Sequence, residues 1–196
     1  MAIQIYGDSI SGNCLKVKWT LEYLNIPYRW TETSVLKGET RTPDFLAMNP
    51  AGQVPLAILE GGRPLAQSNA IISHLAEGSA LIPADAYARA KMWEWMFWEQ
   101  YSHEPYVAVA RFQVTYLGKA PSELDSKLIE RAHGALQRLE EALVGATFLV
   151  GEDCTLADVA LVAYTRVAHE GGLDLARYPA VLAWIVRVEA ALNIKD

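Results

Sequence analysis

The stretch IYGDSISGNCLKV, residues 5–17, decides how the rest of the chain is read. A short apolar run ends at Gly7. Two serines, a glycine, an asparagine and a cysteine follow, and apolar residues then fall at Cys14, Val17, Leu21 and Leu24, a helical period. The pattern is strand, polar turn, helix. Ser9, Ser11, Asn13 and Cys14 therefore stand at the mouth of the first helix. Either they cap it, or they present polar groups to something bound at its N-terminus, where backbone N–H groups and the helix dipole favour an anion.

Working outward, Asn25-Ile26-Pro27 stops this helix. YRWTET, 28–33, alternates like a half-buried strand. KGETRTPDFLAMNPAGQ, 37–53, is polar and broken by Pro43 and Pro50, and reads as a loop with a helical turn. VPLAIL, 54–59, is a strand, Gly61-Gly62 a turn and RPLAQ, 63–67, the hairpin partner. Ser68 is expected to cap the helix NAIISHLAE, 69–77. The order over residues 1–78 is β-α-β, then β-β-α.

SALIPAD, 79–85, reads as a linker, and residues 86–196 read as all helix. Residues 86–118 suggest one long helix bent at Pro105. A second begins at Ser122 and Asp125, spaced as an acidic capping box, with an apolar stripe of Leu124, Leu128, Ala132, Ala135, Leu139 and Ala142. Thr155 and Asp158 repeat the box before TLADVALVAYTRVA, 155–168, and YPAVLAWIVRVEAAL, 178–192, is the last helix. The chain shows no internal repeat and no low-complexity segment.

Composition narrows the function. Of 196 residues 52% are apolar, ample for a core. The net charge is −6 and the 17 basic residues are scattered, so no nucleic-acid partner is expected. No run is long and apolar enough to span a bilayer, and the start MAIQIYGDS lacks the features of a signal peptide. A soluble, cytoplasmic protein with no membrane association is expected. Cys14 and Cys154 do not make a secreted-type disulfide framework. Four histidines far apart offer no metal-ligand spacing, so no metal is expected.

The element order of residues 1–78 resembles a thioredoxin-like domain. In that fold the first strand-to-helix loop carries C-x-x-C; here the matching place reads Ser11-Gly12-Asn13-Cys14. With serine first, no partner thiol exists to close a disulfide. A hydroxyl is left at a helix N-terminus, a place that suits the thiolate of a bound small thiol.

Four motifs then resemble the cytosolic glutathione transferases in order and spacing: SGNCLKV at 11–17, NPAGQVP at 49–55, QSNAI at 67–71 and TLADVALV at 155–162. GETRTPDFLAMNPAGQVP, 38–55, looks most like the serine-type classes, phi- and theta-like bacterial members in particular. The resemblance implies a thioredoxin-like domain followed by an all-α domain, with glutathione as co-substrate. It implies that Ser11, with Asn13 as the alternative, donates a hydrogen bond to the glutathione sulfur and lowers the thiol's pKa. Ser9 reads as loop structure and Cys14 as a buried small hydrophobe.

The resemblance further implies a cis bond at Val54-Pro55 whose backbone pairs with the cysteinyl part of glutathione. Gln67 and Ser68 would hold the γ-glutamyl end, and Thr40, Arg41 and Gln53 the glycine carboxylate. Gln67 stands where several members carry Glu, and a partner-subunit carboxylate would then meet the glutamyl amino group. Tyr101, Glu104, Tyr106 and Arg111 are expected near a pocket for a small apolar electrophile, and the aromatic helix around them at a homodimer surface. The expected reaction is attack of the thiolate on that electrophile. Two alternatives stand beside it: glutathione-dependent reduction of peroxides or disulfides, and a binding module without catalysis.

Overall fold

The computed structural model describes residues 3–194, and the chain divides between Ser79 and Ala80 into two compact units. The first holds β1 (Ile3–Gly7), α1 (Gly12–Tyr23), β2 (Tyr28–Glu32), α2 (Pro43–Met48), β3 (Leu56–Ile58), β4 (Pro64–Ala66) and α3 (Ser68–Leu75). Its four strands form one sheet in the order β2-β1-β3-β4. β1 runs parallel to β2 and antiparallel to β3, and β3 is antiparallel to β4. This is the expected thioredoxin-like arrangement.

Sequence explains the assembly of this unit. The alternation in β1 turns Ile5 inward, where it is buried with Leu56 and Ala57 of the neighbouring strand. The helical stripe of α1 buries Cys14, Val17 and Leu21, and α1 packs on α3 through Ile71 and Ile72 of the core. Gly7 is required at the end of β1: a Cβ there would lie 2.4 Å from the Trp30 ring. The polar stretch 37–53 carries more structure than the expected loop with one turn. Glu39–Arg41 form a 3-10 turn, and Thr42 caps α2 by accepting from the Phe45 N–H at 3.3 Å, with Pro43 at its first position.

One local expectation changes. Ser68 is the first residue of α3 rather than its cap. Gln67 occupies the cap position with φ 71° and ψ 114°, and its side chain makes no capping bond, while the Ser68 hydroxyl donates to Asn13.

The second unit is helical, with α4 (Ala86–Trp98), α5 (Glu104–Thr115), α6 (Ser126–Leu143), α7 (Leu156–Thr165) and α8 (Pro179–Leu192). α7 is buried along its whole length. The expected single helix over 86–118 is interrupted before Pro105 by a π-helical turn, Glu99–His103. Proline has no N–H to donate to the preceding turn, and the wider turn accommodates its ring.

Ser122 and Asp125 do not form a box. Pro121–Glu123 make a 3-10 turn, and Asp125 itself caps α6, accepting from the Lys127 and Leu128 N–H groups at 2.8 and 3.2 Å. The buried stripe of α6 runs through Ala132, Ala135, Leu136, Leu139 and Leu143, so Ala142 is exposed. The Thr155–Asp158 box is present. Asp158 accepts the Thr155 N–H at 2.9 Å on one oxygen, and the Leu149 N–H and Trp184 Nε1–H at 3.0 and 2.8 Å on the other.

Candidate functional site

One rung of the sheet gathers the candidate residues of the first unit. Tyr6 pairs with Leu56, and Leu56 with Ala66. Three connections leave or enter the sheet at that rung: the β1–α1 loop after Gly7, the 49–55 segment before Leu56, and Gln67 after Ala66. Residues 11, 54 and 68 are therefore brought to one sheet end by pairing, although far apart in sequence.

The β1–α1 loop is held from both sides. The Ser11 N–H donates to the Asp8 carbonyl at 3.1 Å and the Ile10 N–H to the Asp8 carboxylate at 3.1 Å. The Ser9 N–H and hydroxyl donate to Glu32 at 2.9 and 3.2 Å, which gives Ser9 the loop role expected of it. Trp30 Nε1–H donates to the other Glu32 oxygen at 2.8 Å. Partial burial pushes the Glu32 carboxyl up, but the Trp30 and Ser9 hydrogen bonds and the Lys18 charge outweigh it and hold it below the usual range.

Ser11 is the N-cap residue of α1, yet its side chain makes no capping bond. Its hydroxyl is hydrogen-bonded to the Cys14 thiol, whose sulfur also accepts the Asp8 N–H at 3.3 Å. Cys14 is fully buried as expected. Burial pushes its thiol up to about 12 against the pull of those two hydrogen bonds, and the Asp8 and Glu32 charges add to the rise. Burial likewise raises the Cys154 thiol, next to the Asp158 charge.

Asn13 joins α1 to the start of α3. Its Oδ1 accepts from Lys16 Nζ at 2.8 Å and from the Ser68 hydroxyl at 2.9 Å. Ser68 is buried and Gln67 exposed. The left-handed φ of Gln67 is uncommon for a residue with a side chain, and such backbone clusters at functional sites.

The 49–55 segment is built on Asn49, which is buried. Its Nδ2 donates to the Gln53 carbonyl at 2.8 Å, and its carbonyl accepts the Gly52 N–H at 2.9 Å. The Val54-Pro55 bond is cis. Arg41 lies over this segment, Nη1 donating to the Ala51 carbonyl at 3.4 Å. Gly52 has φ +61°, and a Cβ there would meet Arg41 Nη1 at 2.5 Å. Gln53 and Arg41 are exposed. Thr40 is 1% exposed, and its carbonyl lies under Gly52.

In the second unit Arg111, Tyr106 and Glu104 each have a hydrogen-bond partner. Arg111 is buried and its Nε donates to Glu170 at 2.6 Å, an ion pair that ties α5 to the 168–171 turn. Gly171 lets that turn approach the α5 backbone, since a Cβ there would lie 2.8 Å from the Arg111 nitrogen. The Tyr106 hydroxyl accepts from Arg131 Nη1 at 2.8 Å, and Glu104 accepts from Gln100 at 2.6 Å. Tyr101 is 83% exposed.

Lys16 and Asn49 were missed by sequence reasoning. Lys16 stands three residues from Asn13, a spacing that places both on one helix face, and that was the available signal. Asn49 gave only the turn signal of Asn-Pro.

Comparison with known proteins bears on both units. Residues 10–77 match the family model for the glutathione S-transferase N-terminal domain, and residues 94–191 the model for the C-terminal domain. A crystal structure of a glutathione S-transferase from Pseudomonas fluorescens is 46% identical, with a TM-score of 0.93 over 97% of this chain and 96% of that one. Glutathione S-transferase 3 of Zea mays is 31% identical, over 93% of this chain and 86% of its own length. The disulfide-bond oxidoreductase YfcG of Escherichia coli is 28% identical, over 89% and 85%.

Proposed function

Because the chain belongs to the glutathione S-transferase family, we propose that it is an enzyme that binds glutathione at the rung end of its first unit and activates the thiol for attack on a small apolar electrophile. The sulfur sits at the mouth of α1 beside Ser11 and Asn13. The γ-glutamyl carboxylate meets Gln67 and Ser68 at the start of α3, the Val54 backbone before Pro55 pairs with the cysteinyl part, and Arg41 with Gln53 meets the glycine carboxylate.

The observation that carries this reading is the Ser11 hydroxyl. It stands at a helix N-terminus yet does not cap it; its partner is the Cys14 thiol, which in its protonated form can donate to the hydroxyl oxygen and leave the hydroxyl proton to serve a ligand there. A hydroxyl and a carboxamide N–H donated to sulfur favour the thiolate over the thiol. The α1 dipole adds to the preference. Arg41 offers a fork of donors suited to a carboxylate.

A second reading, glutathione-dependent reduction of disulfides, is favoured by the likeness to YfcG. Cys14, with its thiol at about 12, holds almost no thiolate at neutral pH. Both readings therefore use the thiol of glutathione.

The test is Ser11→Ala. Glutathione affinity is expected to change little, and kcat to fall by about 100-fold, the usual cost of one hydrogen-bond donor to a developing or resident anion. Unchanged turnover would transfer the role to Asn13.

A further inference from the structure

Lys16 is 0% exposed, one of the largest fully buried side chains in the protein and a charged one. It lies in the second turn of α1, where methionine or leucine would fill the same volume without removing an ammonium from water. Its Nζ donates to Asn13 Oδ1 at 2.8 Å, and Ser68 donates to the same oxygen at 2.9 Å.

These two bonds decide which way the carboxamide faces. An ammonium has three donors and no acceptor, so only the oxygen of Asn13 can face it. Turning the amide over would set its NH₂ against the ammonium and break the bond to Ser68. The Asn13 nitrogen is thereby directed away from both. A cation on the carbonyl end also polarises the amide and strengthens its N–H as a donor.

We propose that Lys16 is a positioning residue for thiol activation: it locks the Asn13 carboxamide with its N–H toward the glutathione sulfur and, through the shared oxygen, couples that end of the site to Ser68 at the carboxylate end. The proposal rests on the glutathione-activating reading above. Asp8 and Glu32 are the carboxylates whose charges act on this loop at Cys14. Neither changes in the variants below, so their effect is common to all of them.

The experiment titrates the ultraviolet thiolate absorbance of bound glutathione against pH. It needs no electrophile. In the wild type the bound thiol titrates below free glutathione. In Lys16→Met the titration is expected to rise by about one pH unit, leaving roughly a tenth of the thiolate in the range below both values. Lys16→Arg, which keeps charge and donor, is expected to bring it back toward the wild type. Asn13→Ala is expected to show the same rise, and Lys16→Met/Asn13→Ala no further rise, because the two act as one unit.

A thiol that titrates in Lys16→Met as in the wild type overturns the proposal alone. So does a double variant whose rise is the sum of the singles. A wild-type thiol that titrates like free glutathione overturns the parent reading and this one with it. Should Lys16→Met fail to fold, the wild type itself decides. With ¹⁵N labelling, the two proton signals of the Asn13 side-chain amide should shift on adding glutathione, and unmoved signals overturn the proposal.

Discussion

Ser68 and Asn13, 55 residues apart in the chain, share a hydrogen bond: the serine hydroxyl donates to the asparagine side-chain oxygen across 2.9 Å. The serine spends its hydroxyl on α1 rather than on the turn it begins. Its loss should therefore leave α3 unfrayed, and cost about 1 kcal/mol for one part-buried hydrogen bond. Ser68→Ala is expected to raise the KM for glutathione by about tenfold, because the bond to Asn13 that sets the Ser68 backbone N–H at the carboxylate end is lost, with kcat changed far less. Steady-state kinetics checks this. A kcat loss at unchanged KM would place Ser68 on the sulfur side instead.

Ser68 shows what a sequence carries. A serine at a helix cap and one at the first helical position look alike in QSNAI. What separates them is the positive φ of Gln67, set where β4 meets α3. Strand β1 and the turn to α1 were legible because apolar spacing is local. The Thr155–Asp158 box was legible for the same reason, its partners lying three residues apart. The ion pair of Arg111 joins residues 59 apart, and no local pattern announces it. Lys16 reads as a polar position, and only the folded chain shows it fully buried.

Asp158 supports the second unit without chemistry. It is fully buried and receives the N–H groups of Thr155, Leu149 and Trp184. Asp158→Ala leaves those donors without an acceptor, and roughly 3 kcal/mol of stability is expected to go with it. Chemical denaturation is the measurement. A loss below about 1 kcal/mol, the worth of one ordinary hydrogen bond, would mean that water replaces the carboxylate.

Both cysteines are expected to resist alkylation in the folded protein. The Cys14 thiol is held up to about 12, chiefly by burial, so it remains protonated through neutral and mildly alkaline pH. At pH 8 the thiolate is roughly one part in ten thousand. Iodoacetamide at that pH should modify neither Cys14 nor Cys154 until denaturant is added, as read by mass spectrometry. Rapid labelling of Cys14 in native protein would mean that the α1 mouth opens.

Phe97 and Tyr101 stand 69% and 83% exposed, four residues apart, and Trp93 stacks on Phe97 with ring centroids 6.1 Å apart. Aromatic area of this kind on one helix face marks an interaction surface. A homodimer is the expected assembly, and Phe97→Asp should weaken it at least tenfold by setting a charge against a desolvated contact. Sedimentation at graded concentration tests both statements. A wild type that is monomeric and active at every concentration rules the dimer out.

The last prediction concerns Ser11→Cys, which rebuilds C-x-x-C at the mouth of α1. The introduced thiol lies at a helix N-terminus, where the dipole lowers its pKa. A thiolate there cannot donate to the sulfur of glutathione, and the two like charges repel, so conjugation should fall. The same thiolate can attack a disulfide that contains glutathione, forming a mixed disulfide with glutathionyl sulfur and releasing the other thiol. Cys14 is the neighbour that would resolve this intermediate in a dithiol mechanism. Its sulfur is buried and its thiol sits at about 12, so resolution falls to a second glutathione, which leaves as oxidised glutathione. Disulfide reduction by Ser11→Cys should therefore appear with a rate that depends on free glutathione, and adding Cys14→Ser should leave that rate within about twofold, the span of an ordinary neutral substitution. Full conjugation with no gain in reduction would show that position 11 is not beside the sulfur. A rate that collapses on adding Cys14→Ser would show that Cys14, which already contacts the side chain at position 11, resolves the mixed disulfide despite its burial.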